Sequence, residues 1–228
     1  MSDPTLLLGV DTCGPSGSVA LTRLVGKKRE LLGQTELAGR SYSATLIIAV
    51  RDLLDQAKAQ LGQLHAIVAV NGPGSFTGVR VGLSAVKGLA EPFRLPVLAV
   101  SRLEVLAHKA RVASAALDAH RHEVFLRLHN EVGVRELLAG SAELSAIGSY
   151  SGRIAVCDDA AAQILGAAWP AAELVHVPAP MASDALELAE PRVVASDFVD
   201  LAALDGHYLR RSDAEIFGDP ALTTQIAS

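Results

Sequence analysis

Three stretches of this sequence carry residue types suited to chemistry: Asp11-Thr12 after the apolar run Leu6 to Val10, the loop Asn71 to Gly78, and the alternating Asp118, His120, His122. A carboxylate at a hairpin tip can hold Mg²⁺ through water. In the second stretch a continuous apolar run, Ala66 to Val70, feeds a loop with Gly72, Gly74 and Gly78 and two hydroxyls, Ser75 and Thr77, before a helix begins. That order of strand, glycine-rich loop and helix presents backbone N–H groups to an anion. Ser75 and Thr77 also read as helix caps. The loop is not of the Walker A type, because no Lys-Ser or Lys-Thr follows its last glycine and Arg80 is a weaker substitute, and no G-x-G-x-x-G is present. Two readings stay open. Asp11, Thr12, Gly72, Gly74, Ser75 and Thr77 either contact a nucleotide phosphate, or form a tight turn that lets a helix pack closely on its strand.

Alternation along an expected strand puts Asp118, His120 and His122 on one face, a pattern that looks like a metal cluster in isolation. No catalytic triad is supported: Gly-x-Ser-x-Gly is absent, and neither Cys13 nor Cys157 has a convincing partner.

The elements that must position these groups follow from the hydrophobic pattern. At 228 residues the chain suits one large or two small domains, and with half its residues hydrophobic but 4% aromatic the core must be Ala, Val, Leu and Ile. A hairpin is expected over Leu6 to Leu21 with Asp11 at its tip, then a strand over Glu30 to Leu37 and a helix over Tyr42 to Leu61. The strand Ala66 to Val70, the helix after the glycine loop and a strand over Pro96 to Val100 complete the first half. The second half repeats the order: strands near Ala113 to Leu117, Glu123 to Leu128 and Val134 to Leu138, a helical or irregular link over Ala142 to Ser149, then a strand over Arg153 to Val156. A helix over Asp158 to Ala168, a strand over Leu174 to Val177 and a helical stretch from Ser183 to about Leu204 follow. The expected fold is therefore α/β, two layered domains covering residues 1–100 and 101–228 with a hinge near Ser101, the extreme C-terminus either staying with the second domain or packing back on the first.

A net charge of −5 argues against unaided nucleic-acid binding, which needs a basic surface. Arg210 and Arg211 read either as an RNA contact or as a solvated chain end. The apolar runs are far short of a membrane span, no signal-like segment is present, and two widely separated cysteines fit a reducing cytoplasm.

The duplicated βββαβαβ plan with an Asp-Thr hairpin resembles the actin, sugar kinase and Hsp70 superfold, the actin-like ATPase (ASKHA) fold. Within it, GPGSFTGVRVGLSAVKGLA closely resembles the motif of the TsaB (YeaZ) family, relatives of the TsaD "glycoprotease" proteins. VDTCGPSGSVAL, LDAHRHEVF and HYLRR are similar too, so the likeness spans most of the chain. In TsaD-like enzymes the strand after the KGLA helix runs into Asn-His-x-Glu-Gly-His, whose histidines bind a catalytic metal. Here those positions hold Arg102 and Leu106, which cannot act as imidazole ligands.

The resemblance therefore implies a non-catalytic subunit of the tRNA threonylcarbamoyladenosine (t6A) machinery, with no intrinsic metal or cofactor. Its implied partners are a TsaD-like catalytic subunit, a TsaE-like ATPase, tRNA only through the complex, and a second copy of itself in isolation. The implied partner surface lies on the first-domain helices. Ile47 and Ile48 widen the first helix beyond its core stripe, and Gly78, Gly82 and Ala85 leave the second helix open to close approach; the other reading buries both faces inside the domain. ATP or ADP at a subunit interface is compatible with the family. Related proteins tend to lack the Asp118, His120, His122 cluster, which favours a hydrogen-bonding role there, and many carry a His where this chain has Tyr42 in Arg40-Ser41-Tyr42-Ser43. The alternative function is an ATP-dependent phosphotransferase or carbamoyl-type transferase acting alone through Asp11 and the glycine loop.

Overall fold

The structure is a computed structural model and describes residues 4–26, 28–39, 41–130 and 133–210. Arg40 and Arg211 therefore lie outside the described residues. Two five-stranded sheets are built on one plan. In the first, β1 (Thr5–Asp11), β2 (Ser16–Val25) and β3 (Lys28–Ala38) form an antiparallel meander, and β4 (Ala66–Val70) and β5 (Val97–Val100) add in parallel, in the order β3-β2-β1-β4-β5. In the second, β6 (Ser114–Asp118), β7 (Val124–Asn130) and β8 (Gly133–Ala139) repeat the meander, and β9 (Arg153–Val156) and β10 (Glu173–His176) repeat the parallel additions.

β4, Ala-Ile-Val-Ala-Val, is buried at every position. A strand covered on both faces needs no polar alternation, which is why it reads as a continuous apolar run. α1 (Tyr42–Gln56) and α2 (Phe76–Ala90) cover one face of the first sheet, α1 through Leu46, Ala49, Val50, Leu53 and Leu54. α1 stops short of the expected Leu61 because Lys58 takes a left-handed conformation, φ 53°, and the Ala59 amide turns back to the Leu54 carbonyl.

The helix that follows each sheet's last strand packs on the other sheet. α3 (Arg102–Ala110), which periodicity in the sequence did not reveal, sits on β6, β7 and β9 of the second sheet, beyond α4 (Ser141–Ile147) and α5 (Asp159–Ala168). α6 (Ala182–Val194) sits on β1, β2, β4 and β5 of the first. Gly9 allows that approach: a Cβ there would meet the Ala182 carbonyl at 2.8 Å. So the two sheets divide at Ser101, while residues 182–204 contribute Ala182, Leu186, Ala189, Val193 and Leu204 to the first core. α6 ends at Val194 rather than near Leu204. Pro191 lies in its last turn, Ser196 is left-handed, and the chain beyond crosses the first sheet's edge in a bridge between Val199 and Val97. No described helix is long and apolar enough to cross a membrane.

Candidate functional site

The β1–β2 hairpin buries Asp11 behind a cleft between the two halves, whose lining takes in the next hairpin residues, Cys13 and Gly14. Asp11 Oδ1 accepts the Cys13 amide at 2.8 Å, a local turn that fixes the tip. The tip is then stitched to the glycine loop. Thr12 Oγ1 donates to the Gly78 carbonyl at 2.7 Å, Cys13 Sγ donates to the Val70 carbonyl at 3.2 Å, and the Ser75 amide donates to the Cys13 carbonyl at 2.7 Å. Tyr42, at the start of α1, is buried and donates from its hydroxyl to the Gly14 carbonyl at 2.8 Å. Burial, with the nearby Asp11 charge, pushes its phenol up to about 12. Tyr42 therefore anchors the hairpin.

This stitching explains the glycines. A Cβ at Gly74 would collide with the Cys13 carbonyl, at Gly78 with the Thr12 carbonyl, and at Gly82 with Thr12 Oγ1. Gly78 and Gly82 are buried against their own hairpin and do not leave α2 open to another subunit, which corrects the expectation for those two positions. Ala85 is half-buried against the first core, whereas Ile47 and Ile48 stand 48% and 49% exposed on α1. Gly72 needs its freedom for another reason: its φ is +116° and its carbonyl accepts the Arg102 amide at 2.6 Å. Ser75 caps α2 by accepting the Gly78 amide at 3.2 Å, and Thr77 is exposed on the first turn.

Arg102, the first residue of α3, reaches across to the hairpin. Its Nε lies 3.5 Å from Asp11 Oδ2, with side-chain exposures of 7% and 2%. Burial works to lower the guanidinium's pKa, but Asp11 foremost, with the two cysteines, carries it above its ordinary value. A divalent cation on Asp11 would have to share the carboxylate with this guanidinium. Among the described residues no group of three or more His, Cys, Asp and Glu side chains could hold a metal ion. The residues at the hairpin thus do not fit the nucleotide-linked Mg²⁺ that the superfold implies.

The cleft is about 790 Å³ and is walled by Tyr42, Phe76, Leu117, Phe125 and Tyr208, with Arg102 on its lining. Residues 205–210 strap it from one half to the other. The His207 amide donates to the Asn71 carbonyl at 2.7 Å, the Tyr208 ring stacks on Phe76 with centroids 4.4 Å apart, and Arg80 lies 4.2 Å from the centre of the Phe76 ring. Arg210 donates to the Ala119 carbonyl at 2.7 Å and pairs with Glu123, so it is not a solvated chain end. Glu136 accepts from Ser101 Oγ at 2.6 Å and Arg127 Nη1 at 2.7 Å and pairs with His207 Nε2 at 2.9 Å. Burial opposes its ionisation, but bonds from His207, Ser101 and Arg127 hold its carboxyl below the usual range. Nothing in the spacing of these four residues announced the cluster. His120 and His122 do not alternate along a strand. Residues 120–122 are all left-handed in the β6–β7 turn, where His120 pairs with Asp118 at 2.9 Å.

Duplicated βββαβαβ halves around a cleft, each followed by a helix that packs on the other sheet, define the actin-like ATPase fold. The model of the family TsaD, tRNA N6-adenosine threonylcarbamoyltransferase, matches residues 34–147. Over 125 residues the chain is 37% identical to the tRNA threonylcarbamoyladenosine biosynthesis protein TsaB of Haemophilus influenzae, covering 52% of this chain and 51% of that protein. It is 31% identical over 192 residues to the tRNA N6-adenosine threonylcarbamoyltransferase of Sphingopyxis alaskensis, covering 75% of this chain and 54% of the relative. The solved structure of YeaZ from Pseudomonas aeruginosa superposes with a TM-score of 0.73 at 28% identity, covering 90% of this chain and 100% of that one. The chain spans about half the length of the curated relatives it matches. It belongs to the TsaB/YeaZ family.

Proposed function

We propose that this chain is a non-catalytic subunit of the t6A synthesis machinery, which supports a TsaD-like subunit in transferring a threonylcarbamoyl group to the adenosine beside the tRNA anticodon. The observation that carries the reading is the Asp11–Arg102 pair. At the point where the family's catalytic paralogue is expected to place a metal-binding histidine, this chain places a buried guanidinium against the hairpin carboxylate. Asp11 is then committed to an ion pair, which weighs against a transferase acting alone through it. The names and functions of the relatives support the pathway.

The partner face on this reading is the outer side of α1 at Ile47 and Ile48, with Ala85 of α2 beside the shared helix packing. Two adjacent half-exposed isoleucines are suited to burial against a protein partner, and a TsaD-like subunit is the occupant. A TsaE-like ATPase joins through that subunit, and the tRNA is held by the complex. The test is light scattering on the chain mixed with the TsaD-like protein of the same source. A mixed complex that Ile47→Glu/Ile48→Glu abolishes supports the assignment, and a complex untouched by the double substitution contradicts it.

A further inference from the structure

A buried, loosely paired guanidinium, Arg102, lies on the lining of the cleft. Arg102 is 94% buried by residue surface, 6% remaining exposed, yet its Nε has no hydrogen-bond acceptor among the described residues. A guanidinium carries five N–H donors in a planar fork. Against them, among the described residues, stands the one ion pair to Asp11 Oδ2 at 3.5 Å, a loose contact for a charged pair that prefers about 2.7–2.9 Å. A buried donor without an acceptor is costly, and such groups in native structures call for a ligand or a role.

The other walls agree in chemistry. Gly74, Ser75 and Phe76 bring the positive end of the fifteen-residue α2 to the cleft, where the Ser75 amide is already given to the Cys13 carbonyl and the Gly78 amide to Ser75 Oγ. The acidic groups on the lining are already engaged. Asp158 accepts the Ala161 and Asp118 amides, and Asp118 accepts the His120 amide and pairs with its ring. Phe76, Leu117, Phe125 and Tyr208 supply apolar surface, and a volume of about 790 Å³ is that of a small-molecule site.

From this geometry we infer that the cleft binds a small organic oxoanion, phosphate or carboxylate in head group with an apolar body, on the Arg102 guanidinium and without a divalent cation. The guanidinium beside Asp11 puts a fixed positive charge at the hairpin, which suits an anion without a divalent cation. An anion takes the guanidinium from the cleft side, and Asp11 competes with it for the same positive charge.

The test is calorimetric titration of the full chain with inorganic phosphate, pyrophosphate and malonate, each with EDTA and with Mg²⁺. Saturable binding that is indifferent to Mg²⁺ is expected, and the tighter of the phosphate and malonate arms identifies the head group. Arg102→Gln should weaken that binding at least ten-fold. Asp11→Asn should tighten it several-fold by removing the competitor, and the double variant Asp11→Asn/Arg102→Gln, which removes both members of the buried pair, should lose the binding and reads the proposal even if a single variant does not fold. Absence of binding to all three probes, binding that requires Mg²⁺, an unchanged affinity in folded Arg102→Gln, or weaker binding in Asp11→Asn would each overturn the inference. None of these outcomes depends on assembly with a TsaD-like subunit.

Discussion

Arg102 Nε lies 3.5 Å from Asp11 Oδ2, joining the first residue of α3, which packs on the second sheet, to the hairpin tip of the first. This contact joins the two halves, and its energetics follow from burial. Removing one member of a buried pair leaves an uncompensated charge at a cost of about 3–5 kcal/mol, whereas replacing both members is often close to neutral. Arg102→Met should therefore lower unfolding free energy in urea by about that amount. The double replacement Asp11→Asn/Arg102→Met should recover most of the loss. Equal losses in the single and double variants would deny the pair its coupling.

Two glycines of α2 separate packing from helix propensity. At Gly82 a Cβ would collide with Thr12 Oγ1, and at Gly88 it would meet nothing within 4 Å. Gly82→Ala should destabilise by about 1–3 kcal/mol through overpacking against the hairpin. Gly88→Ala should stabilise by about 0.5–1 kcal/mol, the ordinary helix gain. Thermal melts of the two variants should move in opposite directions, and a neutral Gly82→Ala would show that the hairpin yields at no cost.

Glu136 predicts an acid-sensitive cluster with Ser101, Arg127 and His207. Its folded-state pKa is lowered from the ordinary value of 4.5, so its ionised form contributes stability in full above that value and loses it as pH falls through the lowered one. Glu136→Gln should be less stable than the parent at pH 7, and the difference should shrink steadily below pH 4.5. Urea unfolding at a series of pH values measures this. A gap that stays constant into acid would remove Glu136 from the account of the cluster.

Burial, with Asp11 beside it, raises the Cys13 thiol well above its ordinary value, and burial raises Cys157 to a lesser degree. The thiolate is the reactive form, so both should react slowly with a thiol reagent at pH 8 in the folded chain, Cys13 the more slowly. Mass spectrometry of a timed alkylation tests the order. Prompt modification of Cys13 would mean that the hairpin opens readily.

Much of this fold was legible because each half is written in local patterns. The five-residue apolar run of β4, the stripe of α1 and the cap at Ser75 are set by nearest neighbours and needed no tertiary information. What escaped was long-range. α3 hides its helix because Leu103, Val105, Leu106 and Ala107 are all buried, and burial on more than one side blurs an amphipathic period. The small stripe of Gly78 and Gly82 reads the same whether the approaching backbone belongs to this chain or another, and only the coordinates show that it is Thr12. Arg102 could be recognised as unable to replace a metal-binding histidine, but its pairing with Asp11 was not in the pattern. Likewise His207 and Glu136 meet because residues 205–210 cross from one half to the other, a juxtaposition no spacing encodes.

The central claim, that the chain is a supporting subunit and not an enzyme, is tested most directly by mass spectrometry of t6A formed on unmodified tRNA in a reconstituted reaction. With the TsaD-like and TsaE-like proteins of the same source, the activated threonylcarbamoyl donor and this chain, t6A should accumulate. Without the TsaD-like protein it should fall to background, and Ile47→Glu/Ile48→Glu should abolish the stimulation. Transfer of the threonylcarbamoyl group by this chain alone, or undiminished t6A when the chain is omitted, would contradict the account.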